Sequence, residues 1–297
     1  MGCTQLMSTN KKTRIVVIGD MHCGSVFGLA PPSAIPQDKK NAFLKWDYDR
    51  WCEFCQKYEN PDYLLLIGDL ADGSQVMTLG VDALSTDTDE QVIMAETLIR
   101  MIIGKNTKVY GVNGSGYHGG ERQATCIDRR IVERLNGEYK GNIFEFDIGN
   151  ERIQMTHGGA GQSLVNPTSY ILREIKLSKE DSSNNKSKAP TILLRGHQHR
   201  MFHIEDDGNV IGILNGCWQF RTPFMAKKSG NITPSIGAYI IDIEDGIAKV
   251  YREKYTIPQD VRESMNGYER LSQRKNKEKN KSDWEKLQKS KGGEKEQ

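Results

Sequence analysis

The residues able to do chemistry in this chain are few and unevenly placed. It has six histidines, and five of them, His22, His118, His157, His197 and His199, lie beside glycines just after apolar runs. Asp20 and His22 follow one run in Gly19-Asp-Met-His-Cys-Gly24, and Asp69 follows a second in Gly68-Asp-Leu70. His157 closes a third in Thr156-His-Gly-Gly159, and His197 and His199 a fourth in Arg195-Gly-His-Gln-His199. Turns after strands bring residues distant in sequence onto one rim. Mixed Asp and His donors suit Mn, Fe or Zn better than Mg or Ca, which favour oxygen shells. A carboxylate shared by two such ions would hold them about 3.5–4 Å apart, the arrangement for in-line phosphoryl displacement. A single Gly-Asp after a strand is usually only a turn, and His203, in Met201-Phe-His-Ile204, reads as a residue on a strand face. The recurrence at four strand ends favours a metal centre.

The stretch Val109–Gly120, VYGVNGSGYHGG, reads in two ways. Gly114, Gly116 and Gly119 match G-x-G-x-x-G, the turn that cradles a dinucleotide pyrophosphate. The same loop carries Asn113, a candidate metal ligand, and His118, a candidate proton donor. The dinucleotide reading requires an acidic residue about 20 positions on, at a strand end. Glu133 has that spacing but falls in a predicted helix, and two strand–helix units already precede the loop. Two further candidates stand nearby. Cys23 is a soft extra ligand or a plain loop cysteine. Trp218, in Asn215-Gly-Cys-Trp218, either stacks on a base or aryl group or belongs to the core.

These side chains need elements to position them. Strands are predicted at Thr13–Asp20, Asp62–Asp69 and Thr107–Val112, alternating with helices over Asp38–Tyr58, from a Thr88–Gln91 capping box, and over Gln123–Leu135. A hairpin follows at Asn142–Ile148 and Arg152–His157, turning at Gly149-Asn150. A helix begins near Pro167 and gives way to a polar loop over 178–189. Short strands then recur at Ile192–Leu194, Phe202–Glu205, Val210–Leu214, Ala238–Ile243 and Ile247–Tyr255, with turns at Asp207-Gly208 and Asp245-Gly246. A βαβα half followed by a β-rich half implies two packed sheets. Beyond about Ser264 apolar residues are few, and 258–297 reads as a charged tail, disordered or frayed around Trp284.

Composition sets outer bounds. The 297 residues carry a net charge of +2, with 37% hydrophobic and 27% charged residues, an ordinary globular balance with enough chain for a sizeable core. No apolar run approaches the roughly 18 residues of a membrane span. Residues 268–297 hold ten Lys and Arg against six Asp and Glu, so the basic excess belongs to the tail. Such a tail attracts nucleic acid weakly or merely confers solubility. The six cysteines show no disulfide-framework spacing, and Cys52 and Cys55 fit the inner face of an amphipathic helix better than a zinc site. The start Met1-Gly2-Cys3 lacks the myristoylation Ser or Thr at Leu6, so residues 1–12 read as an unprocessed, cytoplasmic N-terminal extension.

The ordered blocks Gly19-Asp20-Met21-His22, Gly68-Asp69, His157 and Gly196-His197-Gln198-His199 resemble the calcineurin-like metallophosphoesterase superfamily over residues 13–257. The variant third block and the Gly-Leu-Ala-Pro-Pro after the first also resemble phage-encoded members. The resemblance implies an α/β, metallophosphoesterase-type four-layer sandwich, two mixed β-sheets flanked by helices. It implies two divalent metal ions, Mn first and Fe, Zn or Ni as alternatives. By position, Asp20, His22 and His199 would hold one ion, and His157 and His197 the other, with Asp69 bridging. The implied reaction is hydrolysis of a phosphodiester of a nucleotide or nucleic acid by a metal-bridging hydroxide. The third block departs from the family: no Gly-Asn-His follows the third strand. Its Asn ligand is either Asn113 or replaced by Ser115, and His118 takes the catalytic place, as proton donor or phosphate clamp. Two other functions remain: a phosphoesterase fold kept as an inactive scaffold, and a dinucleotide-binding protein using Gly114–Gly119. The first has no need of all six intact ligands; the second leaves the other motifs without a role.

Overall fold

A computed structural model describes residues 12–74, 80–116, 118, 126–158, 166–206, 208–229 and 233–292. The N-terminal extension, Tyr117, Gly119, the first residues of the helix expected from Gln123, and Asp207 lie outside these. In chain order the elements are β1 (Thr13–Ile18), α1 (Ala42–Lys57), β2 (Tyr63–Leu66), α2 (Thr88–Ile99), β3 (Lys108–Gly111), α3 (Ile127–Arg134), β4 (Glu138–Tyr139), β5 (Ile143–Ile148) and β6 (Glu151–Thr156). There follow α4 (Pro167–Asn185), β7 (Ile192–Arg195), β8 (Phe202–Glu205), β9 (Ile211–Leu214), α5 (Pro223–Ser229), β10 (Gly237–Glu244), β11 (Ile247–Lys254) and α6 (Gln259–Gly292).

Two mixed sheets result, ordered β11-β10-β1-β2-β3-β4 and β5-β6-β7-β9-β8. In the first, β1, β2, β3 and β4 run parallel and β10 pairs antiparallel with β1. In the second, β6, β7 and β9 are parallel, flanked by antiparallel β5 and β8. The period of two along β1 sorts its side chains between two cores. Ile15 and Val17 join Leu65, Ile67, Met155, Leu194 and Ile241 between the sheets. Val16 and Ile18 face Trp51, Ala95, Leu98 and Ile131 of the helical layer on the other side. Tyr170, Ile171 and Ile175 of α4 cover the outer face of the second sheet through Leu214 and Leu193. The stack is therefore helices, sheet, sheet, helix, and the carboxyl ends of β1, β2, β3, β6 and β7 meet at one rim.

Several expectations need correction. The tail, read as disordered or as a helix frayed around Trp284, is helical as far as Gly292. Its Lys, Glu and Gln are good helix formers whatever their polarity, and Val261 and Met265 bury one side of its first turns. Likewise α4 continues through most of the loop expected over 178–189 and ends where Lys186 turns left-handed, at φ 51°. The capping box at Thr88–Gln91 does not form. Asp87 caps α2 through the Asp89 amide, which leaves the Gln91 amide to bond both the N–H and the carbonyl of Gly73. Trp218, a candidate for stacking on substrate, is fully buried. Its ring meets Trp51 edge-on at 4.8 Å and Phe54 at 5.4 Å, so no base reaches it. We expect Trp218→Ala to lower the unfolding free energy by about 3–5 kcal/mol, measured by urea denaturation. A loss below about 1 kcal/mol would show instead that the ring is dispensable to the core.

Candidate metal centre

Every donor-bearing strand end but that of β6 delivers its side chains through an unusual backbone. Asp20, His22, Asp69, His197 and His199 all have positive φ, between 47° and 69°. L-residues rarely hold the left-handed region, and clusters of such residues mark functional sites. The chain thereby turns sharply off each strand and aims these side chains back across the rim. Gly68, at φ 84°, lets β2 turn, and a Cβ there would lie 2.4 Å from the Gly114 Cα. A Cβ on Gly114 would in turn lie 2.2 Å from Asp69 Oδ1. The glycines of the third loop thus serve close approach between loops.

Three groups of donor atoms form at the seam of the sheets: Asp20, His22 and His199, beside them Asp69, His157 and His197, and a third, His22, Asp72 and His118, that shares His22 with the first. His157 Nδ1 lies 2.7 Å from the carbonyl of Ile67. A carbonyl only accepts, so Nδ1 carries the proton and Nε2 of the neutral ring presents a lone pair. That lone pair faces Asp69 Oδ2 at 2.9 Å and His197 Nδ1 at 3.2 Å. His22 repeats the arrangement. Its Nδ1 donates to Asp72 Oδ1 at 3.0 Å, which turns Nε2 toward His199 Nε2 at 3.2 Å. His199 Nε2 also lies 3.2 Å from Asp20 Oδ1. Lone pairs facing carboxylates require a cation between them. Left to protons alone, the Asp69 and Asp20 charges overcome burial and raise His157 to about 10. A divalent ion serves the same purpose, and the mixed imidazole and carboxylate set fits Mn, Fe or Zn. The groups adjoin: His157 Nε2 is 3.9 Å from Asp20 Oδ1.

Of the third-loop residues, Asn113 is not presented to the donor groups. Its amide donates to Asn142 Oδ1 at 3.0 Å, and its oxygen accepts from the Cys126 thiol. Ser115 lies nearer, giving its backbone N–H at 2.7 Å and its hydroxyl at 3.1 Å to Asp69 Oδ1. His118 packs edge-on against His22, ring centroids 4.5 Å apart. Its Nδ1 donates to the Asp72 carbonyl at 2.9 Å and lies 3.2 Å from Asp72 Oδ1. Burial opposes its charging, but the Asp72 hydrogen bonds and the Asp69 charge raise it to about 9. Cys23 is buried, and burial together with Asp47 pushes its thiol up, away from ligand character.

Two residues at this centre escape a reading by motif. Asp72 joins His22 to His118 through one carboxylate, fixing both rings; its only signal is its place three residues after Asp69. Asp128, at the start of α3, accepts from the Leu70 amide at 3.0 Å and the Gly114 amide at 2.8 Å. It thus clasps the loops that carry Asp69 and Ser115. Burial and the Asp69 charge raise Asp128 to about 6.

A family model described as calcineurin-like phosphoesterase matches residues 13–201. No curated protein matches the chain. Among solved structures, the zinc complex of Vps29 from Entamoeba histolytica is 17% identical, covering 82% of this chain and 100% of that one, at a TM-score of 0.38. A phosphoesterase from E. coli, Yfce, is 14% identical, covering 82% and 97%, at 0.40. A predicted phosphoesterase from Streptococcus pneumoniae is 13% identical, covering 82% and 99%, at 0.36.

Two outcomes follow from the geometry. Mn2+ at a hundredfold excess over its Kd should stabilise the fold by about 2.7 kcal/mol, seen as a rise in Tm that His157→Ala abolishes. An equal rise in the variant would place the ion elsewhere. Asp128→Asn offers an amide group where an acceptor is needed and should weaken metal binding about 10–100-fold with far-UV dichroism unchanged. Calorimetric titration giving wild-type affinity would remove Asp128 from the centre.

Proposed function

The chain belongs to the calcineurin-like phosphoesterase family and is a metal-dependent hydrolase, and from that premise we propose that it cleaves a phosphodiester of a nucleotide or nucleic acid at a two-ion centre. The observation that carries this is the pair of adjoining donor groups whose imidazole lone pairs face carboxylates. Asp20, His22 and His199 would hold one ion, and His157 and His197 the other, with Asp69 between. Ser115, rather than Asn113, is the third-loop side chain placed beside Asp69. Bound divalent ions, Mn2+ foremost, would supply Lewis acidity and an acidified water for attack on phosphorus.

The protein's own groups divide the remaining work. Asp72 holds His22 in the tautomer that presents Nε2, as carboxylate partners of ligand histidines do. It also accepts from the Nδ1–H of His118, so the charged ring keeps an Nε2–H to offer. The raised affinity of His118 for a proton keeps it charged at neutral pH, suited to give a proton to a departing alkoxide or to hold a phosphoryl oxygen. Ser115 fixes the Asp69 carboxylate through Oδ1, the oxygen that does not face His157, and Asp128 clasps the two loops that carry them. The engagement of Asn113 by Asn142 and Cys126 favours a second reading, a centre that binds metal but turns over slowly.

Hydrolysis of bis-(p-nitrophenyl) phosphate with Mn2+, alongside measurement of bound metal, tests both. Asp69→Asn should abolish turnover, and His118→Ala should lower kcat by about 10²–10⁴-fold with metal content intact. Parallel loss of metal and rate in His118→Ala would make His118 a ligand, and bound metal without turnover in the wild type would favour the second reading.

A further inference from the structure

Helix α6 is anchored through its first turns. Val261 and Met265 are buried, and the Tyr268 ring meets Phe27 at 5.8 Å and Phe43 at 5.9 Å. Past that point Arg270, Leu271, Arg274, Lys275, Lys277, Glu278 and Lys281 are exposed. Residues 270–281 hold six Lys and Arg against one Glu. Their order is not random with respect to the helix. At about 100° per residue, Arg262, Asn266, Arg270, Arg274, Lys277 and Lys281 fall on one face, with Glu263 among them near its start, turned away from Val261, Met265 and Tyr268. Spaced four, four, four, three and four residues apart, they make a stripe about 28 Å long. From Arg270 to Lys281 neighbouring charges stand about 5–6 Å apart, within one Debye length of roughly 8 Å, so their fields add.

The stripe begins at a cavity of about 230 Å³ lined by Arg262 and Asn266 of α6 together with Arg221, Thr233 and Pro234. No carboxylate stands among its lining residues. Arg221 reaches Asn266 Oδ1 at 3.4 Å. The backbone beside this cavity is bonded to that of two donor residues of the metal centre. The Ser235 amide donates to the His199 carbonyl at 2.8 Å, and the Trp218 amide, three residues before Arg221, donates to the Asp20 carbonyl at 3.0 Å.

We propose that the basic stripe of α6 and the arginine-lined cavity at its base form a track for the phosphate backbone of a nucleic-acid chain, leading to the metal centre. Regularly spaced cations answer a polymer with regularly spaced phosphates. An anionic membrane surface is the weaker partner, because a helix lying on lipid needs a continuous apolar face and residues 270–282 contain one large apolar residue, Leu271. The leading of the track to a cleavage site rests on the phosphodiesterase reading; the binding itself does not.

The full-length chain carrying Arg270→Gln, Arg274→Gln, Lys277→Gln and Lys281→Gln separates the two. Binding of a fluorescent oligothymidylate is followed by anisotropy, without divalent ions, from 50 to 200 mM salt. Losing four phosphate contacts should flatten the slope of log K against log salt by about 3 and weaken binding more than tenfold at 50 mM salt. Hydrolysis of bis-(p-nitrophenyl) phosphate should be unchanged, and kcat/KM for the oligonucleotide should fall with its affinity. The charge-conserving Arg270→Lys, Arg274→Lys variant should bind as the wild type does. Unchanged slope and affinity in the glutamine variant would overturn the track, as would preference for phosphatidylserine vesicles over the oligonucleotide. Loss of oligonucleotide binding in a protein whose wild type hydrolyses no diester would leave the track standing and remove the function proposed above.

Discussion

A lone pair aimed at a carboxylate across less than 3 Å is repulsive unless a cation stands between them. That constraint organises the rim of this protein. The Ile67 carbonyl fixes the proton of His157 on Nδ1 and leaves Nε2 against Asp69, and Asp72 does the same for His22 against His199. The fold concentrates negative charge and lone pairs in a buried seam, where desolvation makes each unpaired group costly. Such a seam is stable only when a cation, proton or metal, completes it. Both sheets are committed to the arrangement, since β1 and β2 supply one side and β6 and β7 the other.

Backbone strain shows where the fold yields to this requirement. Five of the six residues in the first two donor groups sit in the left-handed region, each at a cost of order 1–3 kcal/mol. Only His157 reaches the centre from an ordinary strand end. The strained turns persist because neighbouring loops are bonded to one another. Asp20 and His22 donate their amides to the carbonyls of Gly68 and Asp69, and Gly196 donates to that of His157. A flexible rim could not hold three imidazoles and two carboxylates at contact distance without splaying them apart.

How far this was legible from the sequence depended on whether the signal was local. Apolar runs ending in turns that carry Asp or His held the residues of both groups, and the unbroken apolar run of β1 read as a buried strand. Signals that depend on tertiary contact did not survive one-dimensional reading. Gln91 has the spacing of a capping residue yet bonds Gly73, because the loop after Asp72 needed both a donor and an acceptor. Trp218 follows a strand as a stacking residue would, but its neighbours in space are Trp51 and Phe54. Asp128 stands 59 positions after the residue it helps to hold, inside a helix, with no motif around it. The polar tail misled for a different reason: low apolar content predicts weak packing, but it does not forbid a helix of good helix formers with its first turns pinned by Val261 and Met265.

The third loop joins these threads. Its glycines match a pyrophosphate cradle in spacing, but Gly114 is constrained by Asp69 Oδ1 and the Asp128 carboxylate, which leave no room for a side chain. With Asn113 drawn toward Asn142 and Cys126, the amide oxygen that would complete the second donor group is directed elsewhere, and Ser115 bonds the Asp69 carboxylate instead. The two groups are therefore unequal. The first surrounds its centre with a buried carboxylate and two buried imidazoles, whereas the second draws on the exposed His197 and shares Asp69 with a serine. A cation held by more exposed donors binds more weakly and exchanges faster. On the two-ion reading proposed above, the weaker position would govern catalysis, and the loop that departs most from the family pattern would set that limit.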